Sequence, residues 1–562
     1  MEKDIHTIME LVGNKHKFTI FIIAMNLFIW INTSVLNYSL PFIEAKPEVT
    51  YIKNNEKTTS KLDYDICDNY EFEIKDNPDY SMLMDFEDGT ECDKLKNSII
   101  GTINSIGVLL GNFLFHILSE KFGYKNLLFL FHIGHAIFLL ISIFYSNYYY
   151  FQVINLFVMF FTKSLLNSSL VINNEIIDMN YKALISSFVN SGLGIGGMFY
   201  VLMFYLVKDW KYVYIIGACL SVLSAVIIKI FYHDALVQSL VDKDFDKFYN
   251  DILYIAKKNG REKEFLEGIE KDEKYKNCIE KLKEYTLKDK GKEVKKTDSG
   301  KSTQVIMVEN NTKKDKEILQ NSEEQFVERK KEDNKNIEET RGNSTNENKR
   351  EIKGSLFQLF KYSSVRYILI ILSVGWFCNS TLFYGLVLGI KTLKGSQYRN
   401  TAILYLCDFF AYNISGLFSN SRLGRRWSLQ IFTIAYGVFS LVMFLVYDKN
   451  KDVVVAFYFC ARLAMICGFC VYYSFAFESF PISVAAYGYT FSATFSSIAG
   501  IIIPFIIEYI KEKYVFLIYA IEGIVCFFIF FFLEETRGKE RADNIKEIEE
   551  ELKKEKENNE KP

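Results

Sequence analysis

Long apolar runs separated by short polar breaks follow one another along most of the chain. Each run holds about 20 residues, which is the length that a helix needs to cross the ~30 Å hydrocarbon core of a bilayer. The pattern predicts twelve membrane spans, numbered 1 to 12, near residues 18–40, 97–118, 127–146, 151–174, 184–207, 212–232, 363–390, 399–419, 427–447, 453–477, 483–507 and 515–533. The sequence therefore predicts an all-α membrane protein with twelve transmembrane helices in two groups of six.

Polar stretches divide this pattern into parts of different character. We expect a cytoplasmic N-terminus at 1–17, a six-helix bundle at 18–232 with an outer loop at 43–96, a cytoplasmic insert at 233–355, a second six-helix bundle at 356–536 and a charged cytoplasmic tail at 537–562. The insert begins with apolar residues at helical spacing and reaches a helix stop at Asn259-Gly260. Beyond about Thr286 it is rich in Lys, Glu and Asn, which cannot bury enough surface to offset chain entropy. We expect amphipathic helices, then a disordered linker that is open to a cytoplasmic partner.

Two basic loops about 300 residues apart indicate the orientation of the chain. They follow spans 2 and 8, and they read Glu120-Lys121-Phe122-Gly123-Tyr124-Lys125 and Ser421-Arg422-Leu423-Gly424-Arg425-Arg426. In each, a glycine permits a tight turn while cations favour the cytoplasmic face. We expect gating roles for Glu120, Lys121, Gly123, Lys125, Arg422, Gly424, Arg425 and Arg426, and for Glu175 and Glu478 at the cytoplasmic ends of spans 4 and 10.

The outer loop holds two cysteines, Cys67 and Cys92, and it is strongly acidic. If it faces an oxidising compartment, these two residues can form one disulfide. The loop contains no Asn-x-Ser/Thr acceptor, so glycosylation is not indicated. We expect the plasma membrane, and an intracellular membrane remains open.

Several short phrases, taken in order along the chain, carry a family resemblance. They are Cys92-Asp93 with Asn97-Ser98 and Gly101, Asp209-Trp210-Lys211, Ala256-Lys257-Lys258-Asn259-Gly260, Trp376-Phe377 with Tyr384-Gly385-Leu386, Glu478-Ser479-Phe480-Pro481 with Gly488, and Glu535-Thr536-Arg537-Gly538. Through these phrases and their order, the chain resembles the organic cation/anion/carnitine transporter family of the major facilitator superfamily. The resemblance implies a major facilitator fold around a central cavity. Glu120, Tyr124, His116 and Ala485 depart from the family pattern.

Ionisable residues near the middle of spans are candidates for the central cavity. Inserting one into the membrane costs roughly 2.5–3.5 kcal/mol on insertion scales, so its presence suggests a function. They are Lys163 in span 4, Asp408 in span 8 and Arg462 in span 10. Asp408 resembles the acidic residue of span 8 in the family, and Lys163 resembles a lysine in several cation-transporting members. Lys163 and Asp408 either bind substrate or form an ion pair with each other.

Selectivity rests on a few further positions that the resemblance marks. Ser497 stands where cation transporters typically carry Asp and anion transporters Arg, and Tyr412 stands where anion transporters tend to place Lys. With one acid retained, the pattern leans towards cations. Trp376, Phe383 and Tyr384 of span 7 offer aromatic faces to a cation or simply pack. If the charge of Lys163 cancels that of Asp408, substrate selectivity depends on the shape of the cavity and on hydrogen bonds at Asn32, Asn37, Asn379, Ser497 and Tyr412.

No catalytic constellation is visible: there is no Gly-x-x-x-x-Gly-Lys-Ser/Thr loop, nucleophile elbow or hydrolytic triad. The chain is therefore not expected to be an enzyme, and we expect no cofactor, metal or nucleic acid. Its expected partners are a small organic solute and the lipid bilayer. His116, His132 and His135 are expected to pack, and Glu522 in span 12 to face a neighbouring helix or to hold a proton.

The hypothesis that these observations favour is a secondary transporter of small organic ions or zwitterions, leaning towards cations, that works by alternating access. One alternative is a sugar or neutral-solute porter of the same superfamily. Another is a membrane scaffold or sensor that keeps the fold without transport.

Overall fold

Twelve helices of the structure, a computed structural model, are long and apolar enough to cross a membrane, which confirms the predicted number of spans. The structure describes residues 2–13, 17–37, 40–43, 48–53, 56–61, 64–74, 92–144, 147–176, 182–232, 236–241, 244–288, 356–419, 421–481 and 484–537. The predicted disordered linker and most of the charged tail lie outside these residues.

The spans of the first bundle are Lys17–Asn37, Lys94–Phe122, Tyr124–Ser142, Tyr148–Ile176, Lys182–Asn190 continued by Gly192–Val207, and Trp210–Phe231. Those of the second bundle are Ser363–Leu388, Gln397–Ser419, Arg425–Val446, Lys451–Glu478, Ala485–Tyr509 and Glu512–Ile529. Below, "loop side" means the end of the spans that carries the 43–96 loop, and "insert side" means the end that carries the 233–355 insert.

Span 5 packs between the two bundles because glycines lie on two of its faces. A Cβ at Gly196 would lie 2.4 Å from the Ile31 carbonyl oxygen of span 1, in the same bundle. A Cβ at Gly194 would lie 2.7 Å from the backbone nitrogen of Phe409 in span 8, in the other bundle. Real Cβ atoms do not approach so closely, so the glycines permit backbone contact on both sides.

The bundles also meet along spans 2 and 11, in the halves of these helices that lie on the loop side. The Thr102 hydroxyl donates to the Ile501 carbonyl oxygen at 3.0 Å. A Cβ at Gly101 would lie 2.7 Å from the ring of Pro504. At the rim, Phe42 stacks on Tyr398 of span 8 with ring centroids 5.1 Å apart. These contacts close the loop side between the described parts of the two bundles.

The outer loop contains a small antiparallel sheet that the apolar pattern does not predict. Strands β1 (Glu48–Lys53), β2 (Glu56–Lys61) and β3 (Phe72–Ile74) pair in the order β2-β1-β3. A helix at Tyr64–Asn69 follows β2, and Cys67 on it forms a disulfide with Cys92, with Cα atoms 5.8 Å apart. Outside this loop the described elements are helical, so the predicted fold class is confirmed with the sheet as an addition.

Short helices on the insert side form a module beneath the first bundle. They are Glu2–Val12, Leu236–Val241, Phe245–Lys258, Glu262–Lys271 and Glu273–Lys288, and they share one apolar core with the insert-side ends of the spans. The helix from Phe245 stops at Lys258, before the predicted stop signal, where Gly260 adopts φ +74°. We predicted amphipathic helices in the insert but no helix at the N-terminus, so the N-terminal helix is an addition to the expected module.

Asn259 ties this module to the start of span 1. Its side-chain Nδ2 donates to the carbonyl oxygens of Val12 at 3.2 Å and Gly13 at 3.1 Å. Its Oδ1 accepts from the backbone N–H of Phe18 at 3.1 Å. These groups belong to the end of the first helix and the start of span 1, which leave backbone groups unpaired. A single amide therefore joins three elements.

Candidate substrate site between the two bundles

The most buried charged side chains that the structure describes form a pair inside the second bundle. Arg462 Nε and Nη2 donate to the two carboxylate oxygens of Asp408, each at 2.7 Å, and both side chains are 0% exposed. Arg462 Nη1 donates to the Phe383 carbonyl oxygen at 2.8 Å, and its guanidinium lies 4.7 Å from the centroid of the Phe383 ring. Two parallel bonds of this kind are a strong and orienting arrangement.

Helix geometry explains why these two residues find each other. Asp408 follows Gln397, the first residue of span 8, by eleven positions, and Arg462 follows Lys451, the first residue of span 10, by the same number. At 1.5 Å per residue both lie about 16 Å below the loop-side ends of their helices. The helices are neighbours in one bundle, so their side chains meet at one depth.

Lys163 has a different environment. It is half-buried in span 4 and makes no hydrogen bond or ion pair with any residue that the structure describes. Of the two alternatives for Lys163 and Asp408, substrate binding or a mutual ion pair, the ion pair is not formed in this conformation. The physical reason is that Arg462 occupies both oxygens of Asp408 from within the same bundle, whereas Lys163 belongs to the other bundle.

A narrow cavity of about 20 Å³ lies between the bundles, with room for roughly one water molecule. Its walls come from spans 2 and 4 of the first bundle and from spans 7 and 11 of the second. The lining residues are Gly101, Asn104, Ser105, Val108, Met159, Phe383, Tyr384, Val387, Leu388 and Gly500. Lys163 lies one helical turn beyond Met159 on the insert side. The cavity that these residues line is nearly closed in this conformation.

The predicted aromatic residues divide between this cavity and the core. Phe383 and Tyr384 line the cavity. Trp376 is 1% exposed and packs edge-on against rings of spans 10 and 11, with centroid distances of 4.8 Å to Tyr473 and 5.9 Å to Tyr489. In the described conformation Trp376 is therefore a core residue and not a wall residue.

The predicted polar residues are also buried in different places. The Asn32 amide lies 2.8 Å from the Ser221 hydroxyl inside the first bundle, which does not place it on the cavity wall. Asn379 Nδ2 donates to the Gly375 carbonyl oxygen of its own helix at 2.8 Å, and Ser497 and Tyr412 are buried. The side chain of Asn37 lies outside the described residues.

The second basic loop is fastened to the ends of spans 10 and 12. Arg425 forms an ion pair with Glu478, as two predicted gate residues. The Glu535 carboxylate accepts from the backbone N–H groups of Arg425 at 2.8 Å and Arg426 at 3.0 Å. Gly424 adopts φ +81°, and a Cβ there would lie 2.4 Å from Glu535, so this turn requires glycine.

The anchoring role of Glu535 was not predicted, although a carboxylate is the expected anion at a helix N-terminus. In the first basic loop Gly123 adopts φ +72°, and its N–H donates to the Ser119 carbonyl oxygen at 3.0 Å. Lys121 and Arg422 are exposed, and Lys125 is half-buried. The side chains of Glu120 and Glu175 lie outside the described residues.

The geometry defines a class of membrane protein: two six-helix bundles that face each other across a central cavity with charged residues at mid-membrane depth. A profile of the Major Facilitator Superfamily matches residues 22–504, which is most of the chain. The chain therefore belongs to the major facilitator superfamily.

Two relatives agree with the branch that the sequence resembles. The chain is 29% identical over 201 residues to the solute carrier family 22 member 15-like protein of Xenopus laevis, covering 34% of this chain and 41% of that protein. It is 28% identical over 152 residues to the organic cation transporter protein of Drosophila melanogaster, covering 27% and 28%. The matched part thus spans less than half of the length of either relative.

Among solved structures, the proton:xylose symporter XylE bound to 6-bromo-6-deoxy-D-glucose superposes with a TM-score of 0.59, covering 96% of this chain and 99% of that chain. The sequences are 11% identical, so this likeness establishes the fold alone. Fold and superfamily agree with the expectation that the chain is not an enzyme.

Proposed function

We propose that the chain is a secondary transporter that carries small organic ions or zwitterions by alternating access. The observation that carries this proposal is the seam between the bundles, where a nearly closed cavity is lined by Phe383 and lies one helical turn of span 4 from Lys163. Glycines along the seam allow the helices to meet without interlocking side chains. Two bundles joined in this way can separate on one side while remaining in contact on the other.

Charge pairing changes the expected selectivity. The preference for cations rested on Asp408, but Arg462 compensates that carboxylate through two hydrogen bonds. Lys163 is the cavity-side charge without a bonded partner in the described parts of the chain. An anionic group on the substrate would supply the missing partner, because a mid-membrane ammonium is costly when it is unpaired.

A zwitterion suits this site better than a simple cation. Its carboxylate would bind Lys163, and its amine would lie against the Tyr384 ring, since the Phe383 ring already faces Arg462. The name of the Drosophila relative refers to organic cations, which agrees with the amine of such a substrate. We therefore propose substrates that carry both charges.

Uptake into proteoliposomes by the purified full-length chain tests this function. The probes are β-alanine as a zwitterion, tetraethylammonium as a simple cation and xylose as a neutral solute. We expect saturable uptake of β-alanine well above that of the other two. Uptake of xylose alone would support the neutral-solute porter. Uptake of tetraethylammonium alone would support a transporter that prefers simple cations. No uptake with a broad solute panel would support a scaffold or sensor.

The Cys67–Cys92 disulfide supports the plasma membrane as location, because such bonds persist where the loop faces an oxidising space. Labelling of intact cells with an antibody against an epitope inserted in the outer loop is expected to succeed without permeabilisation. Staining that requires permeabilisation would place the chain in an intracellular membrane or reverse its orientation.

A further inference from the structure

A second group of polar side chains lies behind span 7, away from the cavity. It consists of Thr381 of span 7, Tyr436 of span 9, and Tyr519 and Glu522 of span 12, and we name it the Glu522 cluster. Thr381 lies beside the Glu522 carboxyl. One turn further along span 7, a Cβ at Gly385 would lie 1.8 Å from the Tyr519 hydroxyl. Glycine at 385 therefore provides the space that this hydroxyl occupies.

Span 9 completes the Glu522 cluster because it packs closely on span 12. A Cβ at Gly523 would lie 2.6 Å from the Gly437 Cα and 2.9 Å from the Tyr436 ring. The Tyr436 side chain therefore lies directly beside the turn of span 12 that carries Glu522. Three helices thus bring two phenols, one hydroxyl and one carboxyl into the interior of the second bundle.

The polar atoms of this cluster are short of partners. Among the described residues, Glu522 Oε2 and the Tyr519 hydroxyl are buried without a hydrogen-bond partner, and the Tyr436 hydroxyl has the Cys526 thiol, a weak partner, beside it. Two other tyrosines of the same bundle, equally buried, do find strong partners: the hydroxyls of Tyr458 and Tyr472 each donate to a carbonyl oxygen of span 7 at 2.5 Å. Lipid cannot satisfy the remaining groups, so these polar atoms in one place require an explanation.

The titratable and charged groups around Glu522 indicate how its carboxyl can be stabilised. The titratable groups that face Glu522 are Cys378 of span 7, Tyr436 of span 9, and Tyr519 and Cys526 of span 12. Glu512 of span 12 and Tyr458 of span 10 also face Tyr519. None of the described lysines or arginines forms an ion pair with Glu522, in contrast to Asp408. A carboxylate that has the Thr381 hydroxyl beside it but no counter-charge is costly at this depth, and a proton removes that cost.

The tyrosines can stabilise the ionised form of Glu522 when the proton is lost. A phenol hydroxyl rotates freely about its C–O bond and both donates and accepts. When Glu522 is neutral, its O–H can donate to one of them. When it is ionised, both can donate to the carboxylate, and such charge-assisted bonds are stronger than neutral ones. The cluster thus contains what reversible protonation needs.

We propose that the Glu522 cluster is a proton-binding site, and that its protonation is coupled to movement of the bundles. Span 7 provides the connection. Thr381 faces the cluster, Phe383 and Tyr384 line the cavity within the next turn, and the Phe383 carbonyl holds Arg462. Displacement of span 7 by a change at Glu522 would therefore reach the cavity wall. The coupling rests on the proposed transport, whereas proton binding itself does not.

Infrared difference spectra of the full chain in lipid, recorded between acidic and alkaline pH, test proton binding directly. We expect a band from a protonated carboxyl that disappears as pH rises and that is absent in Glu522→Gln. Removal of both phenol hydroxyls in Tyr436→Phe with Tyr519→Phe is expected to retain the band and to move its loss to higher pH, because the carboxylate has lost two donors. Asp452→Asn, at an exposed carboxylate, is the matched control and should behave as the wild type.

An unchanged band in Glu522→Gln overturns the proposal. If Glu522→Gln does not fold, the double variant Tyr436→Phe with Tyr519→Phe tests the proposal alone. Loss of its carboxyl band at the same pH as in the wild type would also overturn the proposal.

Coupling is tested in proteoliposomes that contain a pH-sensitive dye. Addition of β-alanine should move protons in the wild type, while Glu522→Gln should lose proton movement and keep β-alanine exchange. Proton movement that persists in this variant refutes coupling. Absence of β-alanine uptake in the wild type refutes the proposed substrate and leaves the infrared result standing.

Discussion

The two bundles handle their charged residues in opposite ways. In the second bundle the most deeply buried ionic groups are paired: Asp408 with Arg462 at 2.7 Å, and Lys391 with Glu508 at 2.6 Å, where both side chains are 6% exposed. In the first bundle Lys163 has no bonded partner among the described residues. The comparison indicates that the buried cations Arg462 and Lys391 of the second bundle are compensated within that bundle, whereas Lys163 of the first bundle depends on a charge from elsewhere.

The bundles also differ in where they are fastened. The first is held on the insert side by the module whose apolar core includes Ile8, Phe248 and Ile252. The second is held on the loop side by polar contacts, in which the Glu512 carboxylate accepts from Thr392 at 2.7 Å and from Tyr447 at 2.6 Å. The first bundle is thus braced on the insert side by an apolar module, whereas the second bundle is held by polar contacts on the loop side and, at its second basic loop, on the insert side.

The largest expected effect comes from breaking the buried pair. Arg462→Met leaves the Asp408 carboxylate without a partner, which should lower the free energy of unfolding by about 3–5 kcal/mol. Thermal unfolding in detergent measures the loss. Adding Asp408→Asn to Arg462→Met should recover much of it, because no buried charge remains. Lys394→Ala, in an exposed ion pair with Asp452, is the control and should cost about 0–1 kcal/mol. Equal melting temperatures for Arg462→Met and Lys394→Ala would contradict the comparison.

Substitution of Lys163 should affect stability in the opposite way to substitution of Arg462. Lys163→Met removes an ammonium that has no partner to lose, so stability should stay equal or rise. Uptake of β-alanine should fall tenfold or more, which corresponds to about 1.4 kcal/mol of lost interaction. Lys229→Met, in span 6 and over the Phe129 ring, is the matched control in a membrane span and should retain uptake. A strongly destabilised Lys163→Met protein would show that Lys163 is a structural residue.

The seam between the bundles offers a smaller effect. A Cβ in Gly197→Ala would lie 2.6 Å from the Tyr405 ring of the other bundle, so it should disfavour the described closed conformation by about 1–3 kcal/mol. Labelling of Ser105→Cys by an impermeant thiol reagent from the loop side should then become faster. Gly217→Ala, which would meet Val35 of its own bundle at 3.1 Å, should leave the rate unchanged. Equal labelling rates in the two variants would show that the glycine contact does not limit opening.

The smallest effect concerns the module. Asn259→Ala removes the amide hydrogen bonds to Val12 and Gly13 at the end of the first helix and to Phe18 and Thr19 at the start of span 1, each worth about 0.5–1.5 kcal/mol net. We expect faster proteolytic cleavage near Gly13, where the chain adopts φ +95°, with little change in the melting of the spans. Lys258→Ala, at the neighbouring position, serves as control. Cleavage at the wild-type rate would mean that apolar contacts alone hold the N-terminal helix.

Sequence reasoning succeeded where a single physical requirement dominates. Twelve runs long enough to cross a bilayer became twelve helices, because lipid leaves the backbone few alternatives. It missed the helix Glu2–Val12, although Ile5, Ile8 and Val12 recur at helical spacing. It also missed the sheet, whose strands lie in a polar loop with few apolar positions to alternate.

The candidate site shows the limit more sharply. Spacing along a helix indicates depth, and Asp408 and Arg462 lie equally far into their predicted spans, which was a usable signal of pairing. Spacing does not indicate which way a side chain faces around the helix or which helix is its neighbour. For that reason the sequence left an ion pair between Asp408 and Lys163 open, and Trp376 was expected at a cavity that it does not reach in the described conformation.

The bond between Cys67 and Cys92 has a practical consequence for anyone preparing this protein. It closes a segment of the outer loop with a sequence separation of 25 residues, so a host or buffer that keeps thiols reduced would yield a chain with that segment untethered. It also offers a marker of sidedness. A reductant that does not cross membranes should free these two thiols for tagging in intact cells only if the loop is outside, and the resulting gain in mass can be counted on a gel.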